Sequence, residues 1–148
     1  GQGEILVTPI QVFNYVNLLA TKGNSNSPHL VSSTKKDSEN EISLSSQIWD
    51  RIIFDMGQVV SHAKGTGKNA DPVIQGAEIY GKTGTAENPH GEDHAWFIGW
   101  AQYEEQKFSI VVLLENSGSG GAVAAPLAKN VFNKIILGIN NSKQISLK

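Results

Sequence analysis

Lys82, Thr83, Gly84 and Thr85 stand within GAEIYGKTGTAE, Gly76 to Glu87, and two incompatible chemistries can be written on that stretch. Gly76 to Thr83 fits G-x-x-x-x-G-K-S/T, a loop whose backbone N–H groups and following helix N-terminus hold phosphates. Lys82-Thr83-Gly84 also spells the K-T-G of enzymes that transfer acyl groups through a serine. The phosphate reading needs a glycine-rich turn between a buried strand and a helix. Ala77-Glu78-Ile79-Tyr80 instead prefers an extended strand, Glu78 would set a carboxylate among phosphates, and the residues from Gly84 to Gly91 cannot start a helix there. No apolar strand ends in an aspartate to assist magnesium; Glu115 is the nearest substitute.

The acyl-transfer reading asks for an extended edge strand running into a turn, which AEIYGKTGTAE supplies. Such an enzyme needs a cation near its nucleophile and leaving group, hydroxyls for a substrate carboxylate, and an N–H aimed at the tetrahedral oxyanion. Lys82 offers the charge, Thr83 and Thr85 the hydroxyls, and the Thr85 N–H the oxyanion donor. Gly84 lets a substrate backbone come close, as in recognition by strand addition. The plain alternative is a lysine and two threonines on an ordinary exposed strand, which three letters alone do not displace.

Other candidates are weaker. His90, Glu92, Asp93 and His94 invite a metal because histidines four apart share an ion on a helix. Asn88-Pro89-His90-Gly91 is a turn, so no metal is expected. His94 and Trp96 open the next extended run, where cross-strand packing and lining of a cleft are equally good accounts. Ser32 with Lys35, Ser33 with Lys36, and Ser61 with Lys64 fit S-x-x-K, and Ser38-Glu39-Asn40 fits S-x-N. Chance explains these better. A nucleophile's lysine must be shielded for its pKa to fall, whereas Lys35 and Lys36 lie in a solvated run with Asp37 and Lys64 sits at a helix end that favours positive charge. Gly65-Thr66-Gly67-Lys68 reads as a turn, Glu115 and Asn116 as capping residues or distant supports at a strand end, and Trp49, Trp100 and Phe132 as core.

Helices and strands must position these residues. Thr8-Pro9 and apolar residues at 12, 13, 16, 19 and 20 predict a capped helix ending near Gly23. Asn24 to Glu41 carries neither hydrophobic period and is expected as a loop, with a short extended piece at His29 to Val31. Ile48, Trp49, Ile52, Ile53, Met56, Val59 and Val60 recur at helical spacing, with Ser45 or Ser46 as cap and Gly65 as stop. AEIYGKT, HAWFIGWAQ and FSIVVLLEN then predict three strands, joined by connections suited to antiparallel hairpins. The last two are apolar on both faces, so helices must cover the sheet. One is the amphipathic segment marked by Val123, Leu127, Ala128, Val131, Phe132, Ile135 and Ile136 and ending at Gly138; the tail from 139 to 148 is expected to fray.

With 148 residues, 39% of them hydrophobic, the chain can bury one core of ordinary size. A net charge of −2 gives no basic field for nucleic acid, and no stretch reads as the roughly 20 apolar residues of a membrane span. The absence of cysteine excludes disulfides, thiolate nucleophiles and cysteine metal sites. The opening Gly1-Gln2-Gly3, without methionine, suggests a piece of a longer protein.

GQGEILVTPIQ, GKTGTAE followed by HAWFIGWA, and LLENSGSGG leading into a helix together resemble, in this order, the C-terminal half of the transpeptidase domain of penicillin-binding proteins. GKTGTAENPHGEDHAWFIGWA is especially similar to the class B, elongation-type members. The resemblance covers most of residues 1–138, with 24–41 as a variable loop. It implies an α+β fold: a three-stranded antiparallel sheet with the C-terminal helix packed on it and two further helices, part of the serine β-lactamase-like architecture. It further implies a peptidoglycan D,D-transpeptidase that needs no cofactor, acts on stem peptides ending in D-Ala-D-Ala and binds β-lactams. Lys82 and Thr85 would be its catalytic residues; Thr83, Gly84, Thr85, His94 and Trp96 would bind substrate. The serine would lie upstream in the remainder of the domain, leaving this chain inactive alone, on the extracytoplasmic face of the cell envelope and anchored through an N-terminal region. A β-lactam-recognising hydrolase or sensor and a non-catalytic envelope-binding module are the alternatives.

Overall fold

The computed structural model describes residues 5–29, 31 and 39–146. Helix α1 (Pro9–Ala20) begins with a reciprocal cap. The Thr8 N–H donates to Gln11 Oε1 at 2.8 Å while the Gln11 N–H donates to Thr8 Oγ1 at 3.4 Å, satisfying donors that a helix start otherwise leaves unmatched. Helix α2 (Ser46–Ser61) carries Trp49, Met56 and Val60 on its buried stripe. It ends before Gly65, which closes the following turn through its N–H to His62 O at 2.8 Å.

Between these helices the structure corrects the expected plain loop. Strand β1 (Asn24–Asn26) pairs antiparallel with β2 (Glu39–Glu41), so extended pieces stand at the two ends of the segment; the one expected at His29 to Val31 includes Leu30, outside the described residues. Polar strands this short carry no hydrophobic period, and the pairing is made by the backbone. Ser32, Ser33, Lys35, Lys36 and Ser38 also lie outside the described residues. Ser61, from the remaining S-x-x-K match, donates its hydroxyl back to Gly57 O at 3.0 Å within its own helix.

Strands β3 (Ala77–Ala86), β4 (His94–Tyr103) and β5 (Gln106–Leu114) form an antiparallel sheet in the order β3-β4-β5. Alternation splits their side chains between two cores. Ile79, Ala95, Phe97, Ala101 and Val112 meet Ala124, Ala125, Ala128 and Phe132 on one face. Trp100 on the other packs with Val16, Leu19 and Ala20 of α1 and with Trp49 and Met56 of α2. The α+β reading therefore holds, with the C-terminal helix on one side of the sheet and two helices on the other. Lys107 of β5 also donates to Ala20 O at 2.7 Å, tying the sheet to the C-terminal end of α1. Trp49, Trp100 and Phe132 are all core, at 5%, 1% and 1% exposure.

Helix α3 (Ala125–Ser146), entered through a wide π-helical turn at Gly120–Ala124, runs past its expected end at Gly138. Gly138 does not adopt the left-handed conformation of a helix-ending glycine, and Tyr103 of β4 donates its hydroxyl to Asn140 Oδ1 at 2.8 Å beyond it. The expectation about apolar stretches also needs correction. Gly120–Ser142 spans 23 residues at mean hydropathy 1.3, long and apolar enough by those measures to cross a membrane. Its Ala124, Ala128 and Phe132, each at most 1% exposed, are spent instead on the core against the sheet.

Candidate active site on the sheet edge

Lys82 to Thr85 lie in the second half of β3, an edge strand of this sheet. AEIYGKT was expected to stop at Thr83, but β3 continues through Gly84, Thr85 and Ala86, paired with Trp96, Ala95 and His94. This decides against the phosphate loop. Gly76 is a turn residue with φ +81°, and Lys82 and Thr83 lie in mid-strand, with no helix after them to hold an anion.

Strand alternation sends the polar side chains to different faces. Lys82 and Gly84 lie opposite Ile98 and Trp96 on the α1–α2 side, while Thr83 and Thr85 lie opposite Phe97 and Ala95 on the α3 side. Their common ground is the outer edge of the strand at Gly84. Lys82 is exposed and its Nζ donates to Thr83 O. Thr83 is 9% exposed, and its Oγ1 lies 2.7 Å from Thr66 Oγ1. Thr85 is exposed and its Oγ1 accepts the Gly120 N–H at 3.4 Å.

Two glycines on the chain that leads into α3 bring that turn against β3. A Cβ at Gly120 would lie 2.1 Å from Trp96 O and 2.4 Å from Gly84 O, so the turn packs directly on the paired strands. A Cβ at Gly121 would lie 2.5 Å from Thr66 O, and Asn69 Nδ2 donates to Gly121 O at 3.1 Å. Residues 66–69 and 120–121 thus clasp the inner face of Thr83. In sequence the first group is a plain turn and the second the end of a loop before the last helix. The available signal was paired glycines before an apolar helix, which marks a close backbone approach without saying to what.

His94 and Trp96 are both half-buried on β4. Trp96 lies beside Gly84, where a Cβ would come 3.3 Å from its own Cβ, so the glycine leaves the indole room at the edge. The His94 ring is engaged elsewhere: its Nδ1 accepts the Asn116 N–H at 3.0 Å. Asn116, in the left-handed region at φ +51°, also accepts from Asn88 Nδ2 at 2.5 Å. The Ser117 and Gly118 N–H groups each donate to Asp93 O at 2.9 Å. Together these bonds fasten the loop between β3 and β4 to the exit of β5, and Asn116 is the support that the sequence suggested.

Residues 1–133 match the family described as the penicillin binding protein transpeptidase domain. The chain belongs to that family. Among its relatives is the peptidoglycan D,D-transpeptidase MrdA of Haemophilus influenzae, 32% identical over 90% of this chain and 24% of the relative. A similar solved structure is Pseudomonas aeruginosa PBP2 in complex with WCK 5153, with TM-score 0.73 and 34% identity over 90% of this chain and 30% of that one. Another is penicillin-binding protein A from M. tuberculosis as an imipenem acyl-enzyme, with TM-score 0.74 and 28% identity over 92% of this chain and 32% of that one. The chain spans about a quarter of the length of the MrdA relative.

Proposed function

We propose that this chain forms the C-terminal part of a serine-type peptidoglycan D,D-transpeptidase and supplies one wall of its acyl-transfer site. The observation that carries the proposal is an extended β3 whose K-T-G-T segment lies on the sheet edge, in a chain of the transpeptidase family. The catalytic serine comes from the remainder of the domain, outside this chain. Its Oγ attacks the penultimate D-Ala carbonyl of a stem peptide, and the amide bond to the terminal D-Ala breaks as that amine leaves protonated. The acyl group then passes to an amine of a second strand. β-Lactams acylate the same serine by opening their ring amide.

Within this scheme Lys82 places positive charge near the serine and the leaving nitrogen, while the Thr85 N–H faces the developing oxyanion. Thr83 and Thr85 hydroxyls hold the terminal carboxylate. Gly84 admits the substrate backbone along the strand, with Trp96 as the adjoining surface; His94 serves this site by fixing the loop after β3. The work belongs on the extracytoplasmic face of the cell envelope, with the full-length protein anchored through its N-terminal region.

Labelled penicillin tests this directly. The full-length protein should take up about one equivalent, with the labelled peptide mapping outside this chain. Lys82→Ala should slow acylation by about 100-fold, the scale set by loss of one preorganised charged or hydrogen-bonding group at such a site. A stable adduct within residues 1–148, or unchanged acylation of Lys82→Ala, would overturn the assignment.

A further inference from the structure

Thr66 belongs to no motif, yet its hydroxyl is the partner of the most buried hydroxyl at the site, 2.7 Å from Thr83 Oγ1. The turn that carries it is held on both sides. The Gly67 N–H donates to Val59 O of α2 at 2.9 Å, and Asn69 donates to Gly121 O at 3.1 Å. Between Thr66 O and Gly121 there is no room for a side chain, since a Cβ would sit 2.5 Å from that oxygen. Thr66 is therefore delivered to Thr83 by a packed arrangement reaching from α2 to the start of α3.

The direction of this hydrogen bond follows from chemistry, given the functional reading above. Each threonine hydroxyl has one proton, and an ionised carboxylate only accepts. If Thr83 gives its proton to a substrate carboxylate, it has none left for Thr66, so the bond between them must run from Thr66 to Thr83. We propose that Thr66 is a positioning residue for the carboxylate subsite: it donates to Thr83 Oγ1, fixing that hydroxyl so that the Thr83 proton is presented to the substrate. Thr66 itself touches no substrate. Its donation also polarises the Thr83 hydroxyl, which strengthens the outgoing bond.

The role predicts dependence on the ligand's carboxylate. In the full-length protein, second-order acylation constants are measured for benzylpenicillin and for its methyl ester, whose carboxylate is masked. Thr66→Val, close to isosteric, should lower the benzylpenicillin constant by about three- to tenfold, the scale of one neutral hydrogen bond. The ester constant should not change. Thr66→Ser, which restores the donor, should recover most of the loss. The acid-to-ester ratio within one preparation does not depend on how much protein is folded, so a destabilised variant still reports. Equal slowing of both ligands would make Thr66 merely structural and overturn the proposal, as would a Thr66→Ser variant no better than Thr66→Val. A wild-type protein that takes up no penicillin would sink the transpeptidase reading and this one with it; normal wild-type labelling with an unaltered ratio in Thr66→Val would sink this one alone.

Discussion

Gly120 is where a single methyl group should do most damage to the site. It lies 35 residues from Thr85 in sequence, yet its N–H reaches Thr85 Oγ1 at 3.4 Å. Alanine there would put Cβ 2.1 Å from Trp96 O and 2.4 Å from Gly84 O, where real Cβ contacts essentially never fall below 3.0 Å. Both obstacles are backbone atoms of paired strands, so no side chain can swing aside. The turn into α3 must lift by roughly an ångström, a strain that typically costs about 1–3 kcal/mol. The same displacement withdraws the support behind Gly84 and Thr85, and a misplacement of that size at reacting groups can cost about 100-fold in rate. Full-length Gly120→Ala should therefore unfold at lower temperature and acylate with penicillin about 100-fold more slowly. Gly138→Ala is the control, because nothing lies within 4 Å of its Cβ and the position is helical. It should acylate normally and gain about 0.4–1 kcal/mol through reduced freedom of the unfolded chain. A Gly120→Ala protein with wild-type melting and acylation would refute the packing of this turn on β3.

Tyr80 gives an alkaline signature. Burial, followed by its hydrogen bond to Glu78, pushes its phenol from 10.0 up to about 12. The folded state thus favours the neutral ring, stacked on Trp100 at a centroid separation of 4.9 Å. Its contribution to stability is complete below the unfolded value and is lost as pH rises through the window from 10.0 to about 12. Melting temperature should fall more steeply across that window in wild type than in Tyr80→Phe; parallel profiles would contradict this. Asn88 tests the fastening of the β3–β4 loop, since its side chain donates to Asn116 Oδ1 and accepts the His90 N–H at 3.0 Å. Asn88→Ala should expose residues 87–93 to protease several-fold faster, in line with bonds worth about 0.5–1.5 kcal/mol each. Cleavage at the wild-type rate would show that these bonds do not restrain the loop.

The helices and strands were legible where one period dominated. Val12, Val16 and Leu19 betray α1, and HAWFIGWAQ is β4 almost residue for residue, because an apolar run bounded by polar turns leaves little choice. Boundaries were less legible wherever tertiary pairing outweighed local preference. Gly84 and Ala86 are poor strand formers alone, yet β3 keeps them because β4 offers Trp96 and His94 opposite. Gly138 looked like a stop because glycine so often ends a helix, but that role needs a left-handed turn, and the chain keeps its helical course. The extended pieces of β1 and β2 carried no apolar signal at all.

For the site, the sequence revealed the strand and concealed its supports. Lys82, Thr83, Gly84 and Thr85 are contiguous, so one motif names them together. Thr66, Gly120 and Gly121 meet them only after α2 has turned back and the whole sheet has been laid down between. A glycine's requirement is set by what would strike its missing side chain, and for Gly120 those atoms belong to residues 84 and 96. No local pattern encodes that. Lys82 and the two threonines leave β3 on opposite faces, so they can serve one substrate only at its outer edge, held in place from behind. An edge strand lacks a second strand to fix its position; here the turn at 66–69 and the glycine pair at 120–121 supply that restraint on the α3 face. Transplanting K-T-G-T onto another exposed strand should therefore not create the site unless the clasp behind it is transplanted too.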